Sequence, residues 1–179
     1  MKNMKNMKPI LTTFFTMFLI SLQLTTIAQQ LTFKTIVACY NSNDIGKVEN
    51  LMSVNNFSYL NEDFYINSPY LQVKQIIWTW GFNSQKNSAD SYFFLRYSLD
   101  SLGHKKFFSA DYQFKNKAYL DKIKVELAAS GYKMTKSDIE EGNLLQYYDN
   151  GKYTVEIIKY KKDDLGEEII EVGFSKKLK

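Results

Sequence analysis

The fold is decided by the stretch YLDKIKVELAASGYKM, residues 119–134. Its first part predicts an amphipathic helix over 119–129, because large apolar side chains recur there at helical spacing on one face. Gly131 predicts the end of that helix, since glycine readily adopts the left-handed conformation that helix C-termini favour. A strand is expected to begin directly afterwards, at Tyr132. The apolar face of the helix consists of Tyr119, Leu120, Ile123 and Leu127.

Antiparallel strands are predicted downstream of this helix and, from a weaker pattern, upstream of it. Asn150-Gly151 predicts a hairpin turn, because Asn-Gly adopts positive φ at low cost and matches the twist of paired strands. Alternating apolar and polar residues flank this turn. The strands are expected at 143–149, 152–161 and 167–177 downstream and at 71–80, 91–102 and 105–114 upstream. Two further helices are expected before the upstream strands, at 31–40 and 44–52.

The two halves of the chain share one pattern. Residues 51–59 and 127–134 each contain an apolar helix end, then an asparagine or glycine that tolerates positive φ, then an aromatic residue. We therefore predict an α+β fold of two tandem helix-then-antiparallel-sheet repeats. The repeats span 29–115 and 116–179, either as two units or as one continuous domain.

This order of elements resembles the β-lactamase-inhibitor-protein-like architecture. In that architecture, two tandem helix-plus-sheet repeats form a continuous sheet with a concave face. The resemblance covers most of the chain after residue 28 and rests on element order. It implies a small exported bacterial protein that binds another protein or a component of the cell envelope. No functional residue is carried over, because no motif matches.

Residues 1–28 have the layout of a secretory signal peptide. A lysine-rich start is followed by an apolar run over 10–27 and by a small residue, Ala28, before the polar Gln29. An uncleaved membrane anchor is the alternative, since the apolar run is nearly long enough to span a bilayer. Threonine and glutamine residues within the run favour cleavage. We therefore expect an exported protein, periplasmic or extracellular, with no membrane span after cleavage.

Cys39 ends the sequence Ile36-Val37-Ala38-Cys39, which looks like a bacterial lipobox. A lipobox directly follows the apolar run, however, and here polar residues separate Ala28 from Ile36. The alternative is a small buried residue in a helix, which is the usual position of a free cysteine. The spacing therefore favours a buried Cys39 over a lipid anchor.

Charge and cysteine content restrict the classes of partner. The chain has 23 lysine and arginine residues against 19 acidic ones, and three of the 23 lie in the predicted signal peptide. The small excess that remains predicts no nucleic-acid partner. The single cysteine allows no intrachain disulfide. The sequence contains no glycine-rich phosphate loop, so no cofactor is expected.

Catalytic signals are sparse, so we predict a non-enzymatic exported protein with no catalytic residues. We expect it to bind a protein partner, as an inhibitor, an immunity protein or an envelope-associated module. His104 is the single histidine and lies in a predicted turn, and no nucleophile-elbow motif accompanies it. One histidine and one cysteine are too few preferred ligands for a zinc site, so no metal is expected. A small envelope hydrolase is the alternative. It would use carboxylates predicted to lie in one polar loop, namely Asp138, Glu140 and Glu141.

Aromatic residues supply the candidate binding site. Trp78 and Trp80 share one face of their predicted strand, and Tyr92 and Arg96 share one face of the next strand. These four residues form a hypothetical recognition patch, because Trp, Tyr and Arg anchor protein interfaces. The alternative places them in the core, where large apolar residues mostly lie. A further alternative is a structural subunit of the envelope, with an exposed strand edge that pairs with a partner.

Overall fold

The computed structural model describes residues 31–42, 44–67, 72–100, 102–161 and 167–177. The predicted signal peptide, residues 1–28, lies outside the described residues. Within them, no helix is long and apolar enough to cross a membrane.

Three helices are found in the described residues, and each begins at a residue whose side chain accepts a backbone N–H of the first turn. Thr32 caps α1 (Phe33–Asn41), Asp44 caps α2 (Ile45–Val54) and Asn116 caps α3 (Lys117–Ala129). The helices predicted at 31–40, 44–52 and 119–129 are therefore confirmed.

The strands of the described residues form one eight-stranded sheet. They are β1 (Ser58–Asn67), β2 (Gln72–Trp80), β3 (Ser91–Leu99), β4 (Lys105–Phe114), β5 (Lys133–Glu140), β6 (Asn143–Asp149), β7 (Tyr153–Lys159) and β8 (Ile170–Lys176). Their order across the sheet is β1-β2-β3-β4-β8-β7-β6-β5, and every neighbouring pair is antiparallel. The predicted α+β class is therefore confirmed.

Two strand meanders join at the centre of this sheet. Strands β1 to β4 lie side by side in chain order, and so do strands β5 to β8. The junction is the antiparallel pair β4–β8, which runs from Ser109 opposite Ser175 to Phe114 opposite Ile170. Within this pair, Asp111 lies opposite Gly173. The centre of the sheet is therefore built by strands that are far apart in sequence.

The C-terminal ends of α2 and α3 have the same backbone geometry. Asn56 and Gly131 both have positive φ, 59° and 80° respectively, as the left-handed residue of a helix cap does. A buried aromatic residue comes next in both cases. Its amide closes the cap: Phe57 N donates to Met52 O at 2.9 Å, and Tyr132 N donates to Leu127 O at 3.0 Å. Strands β1 and β5 then begin immediately.

The core lies between the helices and one face of the sheet. Edge-to-face aromatic contacts hold it together, as between Phe33 of α1 and Phe174 of β8, with ring centroids 5.9 Å apart. This aromatic core stabilises a chain that has no intrachain disulfide. Its largest fully buried side chains include Ile36, Met52, Trp78, Phe93, Tyr112 and Phe174.

Cys39 belongs to this core. It lies in α1 and its side chain is 0 % exposed. Burial raises the pKa of the thiol to about 12, so the thiol stays neutral and poorly nucleophilic. The prediction of a small buried cysteine is confirmed.

Strand β5 corrects one prediction. Asp138 and Glu140 lie in this strand and Glu141 lies in the turn after it, so the three do not share a polar loop. β5 is an edge strand that pairs with β6, and most of its side chains are exposed. An exposed strand buries neither face, so its polar residues show no apolar alternation from which a strand is predicted.

Candidate functional site

The sheet has a second face, opposite the helices, which we call the open face. Side chains alternate along a strand, so the buried Phe93, Leu95 and Tyr97 of β3 face the core and the residues between them face away from it. The buried side chains of α1, α2 and α3 all belong to the core on the helix face. The strand register extends the open face through Tyr92, Phe94, Arg96, Ser109, Asp111, Gln113, Tyr147, Glu156, Glu171 and Gly173.

The four predicted binding residues are divided between the two faces. Trp78 is 1 % exposed within the core, and Trp80 packs against the same core in a partly buried position. Tyr92 and Arg96 lie on the open face, as the register of β3 places them. The structure therefore brings Tyr92 and Arg96 to one surface and separates both from the tryptophans. Trp78 is a core residue, and a binding role for Tyr92 and Arg96 stays a prediction.

Arg96 and Asp111 form an ion pair near the centre of the open face. Arg96 Nη1 donates to Asp111 Oδ2 at 2.6 Å, and Ser109 Oγ donates to the same oxygen at 3.0 Å. The guanidinium carbon of Arg96 also lies 4.1 Å from the ring centroid of Tyr65, in a cation–π contact. Side chains from β1, β3 and β4 thus fix one another's positions.

Asp111 fits against the sheet because a glycine lies opposite it. A Cβ atom at Gly173 would lie 2.7 Å from Asp111 Oδ1, which is too close for non-bonded atoms. Burial raises the pKa of Asp111 to about 7; Arg96 opposes this shift, and the carboxylates of Glu171 and Glu156 add to it. The carboxyl group of Asp111 therefore changes its charge near neutral pH.

Further hydrogen bonds hold the side chains beside this ion pair. Glu171 Oε2 accepts from Gln113 Nε2 at 2.6 Å and from the hydroxyl of Tyr160 at 3.0 Å. Burial raises the pKa of the Tyr147 phenol, and a side-chain hydrogen bond to Glu156 adds to the shift. The side chains of neighbouring strands are therefore tied into a polar network before any partner binds.

The centre of the open face is acidic. The carboxyl groups of Asp111, Glu156 and Glu171 lie there with one guanidinium group, that of Arg96. Across the described ranges, no cluster of three or more His, Cys, Asp or Glu side chains could hold a metal ion. Phenol groups beside the carboxylates can stack and can form hydrogen bonds. Such a surface suits a partner that presents basic and polar groups.

The predicted site includes little of this network. One feature of the sequence indicates part of the network: Asp111 is a carboxylate between Ala110 and Tyr112, in a strand rich in aromatic residues. A carboxylate at such a position needs a buried partner. The partners come from other strands, however, and only the strand register shows which residues they are.

The residues considered for catalysis lie elsewhere. Asp138 is in the edge strand β5, where its Oδ2 lies 2.9 Å from Lys136 Nζ. The hydrogen bond from Lys136 lowers the pKa of Asp138, which disfavours a role as general acid. His104 is exposed in the turn between β3 and β4, with Nδ1 3.2 Å from Asp100 Oδ2. The prediction that His104 is a surface turn residue is confirmed.

No protein-family model matches the sequence, and the searches of curated proteins and of solved structures found no match. The resemblance to the β-lactamase-inhibitor-protein-like architecture accordingly stays a prediction.

Proposed function

We propose that this protein is an exported, non-enzymatic binding protein that recognises a protein partner through its open face. The observation that carries the proposal is the network around Arg96 and Asp111. It holds charged and aromatic side chains in place on a sheet face to which the described helices contribute no buried side chain. Tyrosine and arginine are also among the side chains that most often anchor protein interfaces.

The network lowers the cost of binding. An interface that immobilises a free side chain costs roughly 0.5–1.5 kcal/mol for each one. Gln113 and Tyr160 already donate hydrogen bonds to Glu171, so these three side chains have less freedom to lose. The carboxylates at the centre of the open face favour a partner surface rich in lysine and arginine, and association should slow as salt concentration rises.

Two tandem repeats are part of this proposal. The matching ends of α2 and α3 are followed by matching irregularities in the strands. β1 shifts its register against β2 between Tyr59 and Asn61, and β5 shifts against β6 between Met134 and Lys136. The two meanders then meet through their last strands, β4 and β8. These correspondences support a duplicated unit and, with it, the resemblance to an architecture of exported binding proteins.

Removing one open-face anchor tests the proposal. Tyr65 is 50 % exposed and stacks on Arg96, whereas Phe82, in the loop after β2, is 43 % exposed. Immobilised wild-type protein and the Phe82→Ala variant are expected to retain the same partner from an envelope extract. Tyr65→Ala should bind that partner at least about tenfold more weakly. Urea denaturation checks that both variants are folded, and equal retention by all three proteins, or no retained protein, would contradict the proposal.

A structural role is the second candidate, and the edge strand β1 favours it. β1 pairs with β2 and ends the sheet, so its other edge can accept a strand from another chain. Light scattering over a concentration series tests self-association, and a monomer at every concentration would exclude pairing between two copies of β1. The large apolar side chains that β1 exposes include Tyr59, Leu60, Phe64 and Ile66.

A further inference from the structure

A cleft of about 730 Å³ lies at the end of the β4–β8 pair. We call it the lysine cleft, because lysine side chains line it together with hydroxyl groups. The residues that line it include Lys106, Lys176, Lys177, Ser98, Thr154 and Ser175.

The lysine cleft exists because β4 and β8 separate at this end of the sheet. Their pairing stops at Ser109 opposite Ser175, while β4 continues beside β3 as far as Lys105. A bulge in β4, with Phe108 as the extra residue, lies at the same point. The gap between the two strands is therefore a consequence of the strand register.

The lysine side chains make this cleft positively charged. In the part of the chain that the structure describes, no carboxylate forms an ion pair with Lys106 or Lys176. Lys177 Nζ lies 2.5 Å from Asp149 Oδ2. Ammonium groups without a carboxylate partner are strong hydrogen-bond donors to an anion.

Hydroxyl groups also line the lysine cleft, beside the aromatic residues Tyr40, Phe107 and Phe108. Thr154 Oγ1 and Ser175 Oγ lie 3.0 Å apart and share a hydrogen bond, and Ser98 also lines the cleft. A hydroxyl group can donate to a phosphate oxygen and can accept from a sugar hydroxyl. Small-molecule sites typically have volumes of roughly 300–1,000 Å³, so the cleft has room for a phosphate group and the atoms attached to it.

We propose that the lysine cleft binds the phosphate group of a small ligand. Lys106 and Ser175 lie on the open-face side of the gap between β4 and β8, where they supply a charge and a hydroxyl donor. Lys176, the next residue along β8, supplies a second charge from the other side of the gap. The cleft is basic and favours an anionic ligand, whereas the centre of the open face is acidic and favours a partner with basic groups. This ligand is therefore distinct from the protein partner proposed above. Free sugar phosphates and phospholipid headgroups both offer the required phosphate group.

Titration calorimetry on the full chain tests the lysine cleft, with glucose 6-phosphate as the probe and glucose as its uncharged counterpart. Only the phosphate ester is expected to bind. The Lys106→Ala/Lys176→Ala variant should bind it roughly tenfold or more weakly, because it loses charge-assisted hydrogen bonds. Lys47→Ala/Lys86→Ala is the matched control, since it removes the same charge from exposed lysines elsewhere. Equal weakening in both variants would overturn the site.

Ser175→Ala distinguishes a shaped site from charge attraction alone. This variant keeps every lysine, and it is expected to bind glucose 6-phosphate roughly two- to tenfold more weakly, as loss of one hydrogen bond predicts. Unchanged affinity would show that the Ser175 hydroxyl does not contact the phosphate group, and would overturn the assignment of Ser175 as a donor.

Vesicles identify the source of the phosphate group. Co-sedimentation with phosphatidylglycerol vesicles, compared between wild type and the Lys106→Ala/Lys176→Ala variant, measures binding to a lipid headgroup. Binding to vesicles but not to glucose 6-phosphate would assign the cleft to a lipid, and the reverse would assign it to a soluble ligand. Wild-type protein that binds neither probe would overturn the proposal while leaving the open face as a protein-binding surface untouched.

Discussion

The two faces of the sheet differ although the same strands build both. The helix face buries rings such as those of Trp78, Phe93 and Phe174. The open face, at alternate positions of the same strands, carries Arg96 and Asp111 in an ion pair with further hydrogen bonds around it. Apolar burial is the main source of folding free energy, whereas a buried ion pair contributes little or none. Stability therefore comes from the helix face, and the open face supplies fixed polar geometry.

Trp78→Ala tests this comparison most strongly. The side chain is 1 % exposed and its ring contacts those of Tyr59 and Phe93, so its loss is expected to lower the free energy of unfolding by about 3–5 kcal/mol. Phe94→Ala is the open-face counterpart, and its half-buried ring should cost about 1–2 kcal/mol. Urea denaturation measures both values. Equal losses would mean that the open face is also covered in solution.

A pH titration of stability is expected to show the next largest effect. The pKa of Asp111 is raised to about 7, so the native state binds more protons than the unfolded state between about pH 4 and pH 7. The contribution of Asp111 to stability is therefore full in acid and is lost as the pH rises through 7. Between about pH 5 and pH 8 the free energy of unfolding should fall by about 2–3 kcal/mol.

Asp111→Asn provides the control for that titration. The amide keeps the shape of the carboxyl group but does not titrate, so the slope between about pH 5 and pH 8 should disappear. A slope that persists in the variant would assign the pH dependence to another group. A flat profile in the wild type would show that Arg96 keeps the carboxylate ionised, and the open face would then carry the full charge of Asp111 at neutral pH.

The sequence predicts the helices well and the edge strands poorly. Apolar spacing and capping residues place α2 and α3, because one side of each helix must be buried. Only the first residues of β5 are predicted, and β1 (Ser58–Asn67) is not predicted as a strand. Both strands contain a register shift that breaks simple alternation, and both carry many polar side chains because they lie at the sheet edges. Edge strands bury fewer side chains than central strands, so their sequences show a weaker pattern of apolar and polar residues from which a strand could be predicted.

The candidate site is predicted only in part, for a different reason. Alternation correctly groups Trp78 with Trp80 and Tyr92 with Arg96, but it does not show which pair faces the helices. The register of β2 against β3 decides this, since it places Trp78 opposite the buried Phe93. Asp111 lies opposite Gly173 because β4 pairs with β8, and no local sequence pattern predicts that pairing.

Gly173→Ala is the smallest of these changes and the finest test of the open face. Alanine within a helix or a strand is normally more stable than glycine by about 0.5–1 kcal/mol. Gly46→Ala in α2, where the new Cβ would lie 3.4 Å from Asp44 Oδ1, should show that gain. At Gly173 the new Cβ would instead meet Asp111 Oδ1 at 2.7 Å and displace the carboxylate from Arg96. We therefore expect a net loss of about 1–2 kcal/mol in the free energy of unfolding, measured by urea denaturation at neutral pH.

The same substitution in an Asp111→Ala background identifies the cause of that loss. Without the carboxylate the new methyl group meets only the backbone oxygen of Glu156, at an ordinary contact distance of 3.9 Å, so Gly173→Ala should then cost nothing or stabilise the protein. An unchanged cost would mean that the backbone at Gly173, and not Asp111, resists the side chain. In that case Gly173 would be required for the pairing of β4 with β8. The Arg96–Asp111 ion pair would then be held in place by the hydrogen bond from Ser109 and the cation–π contact with Tyr65.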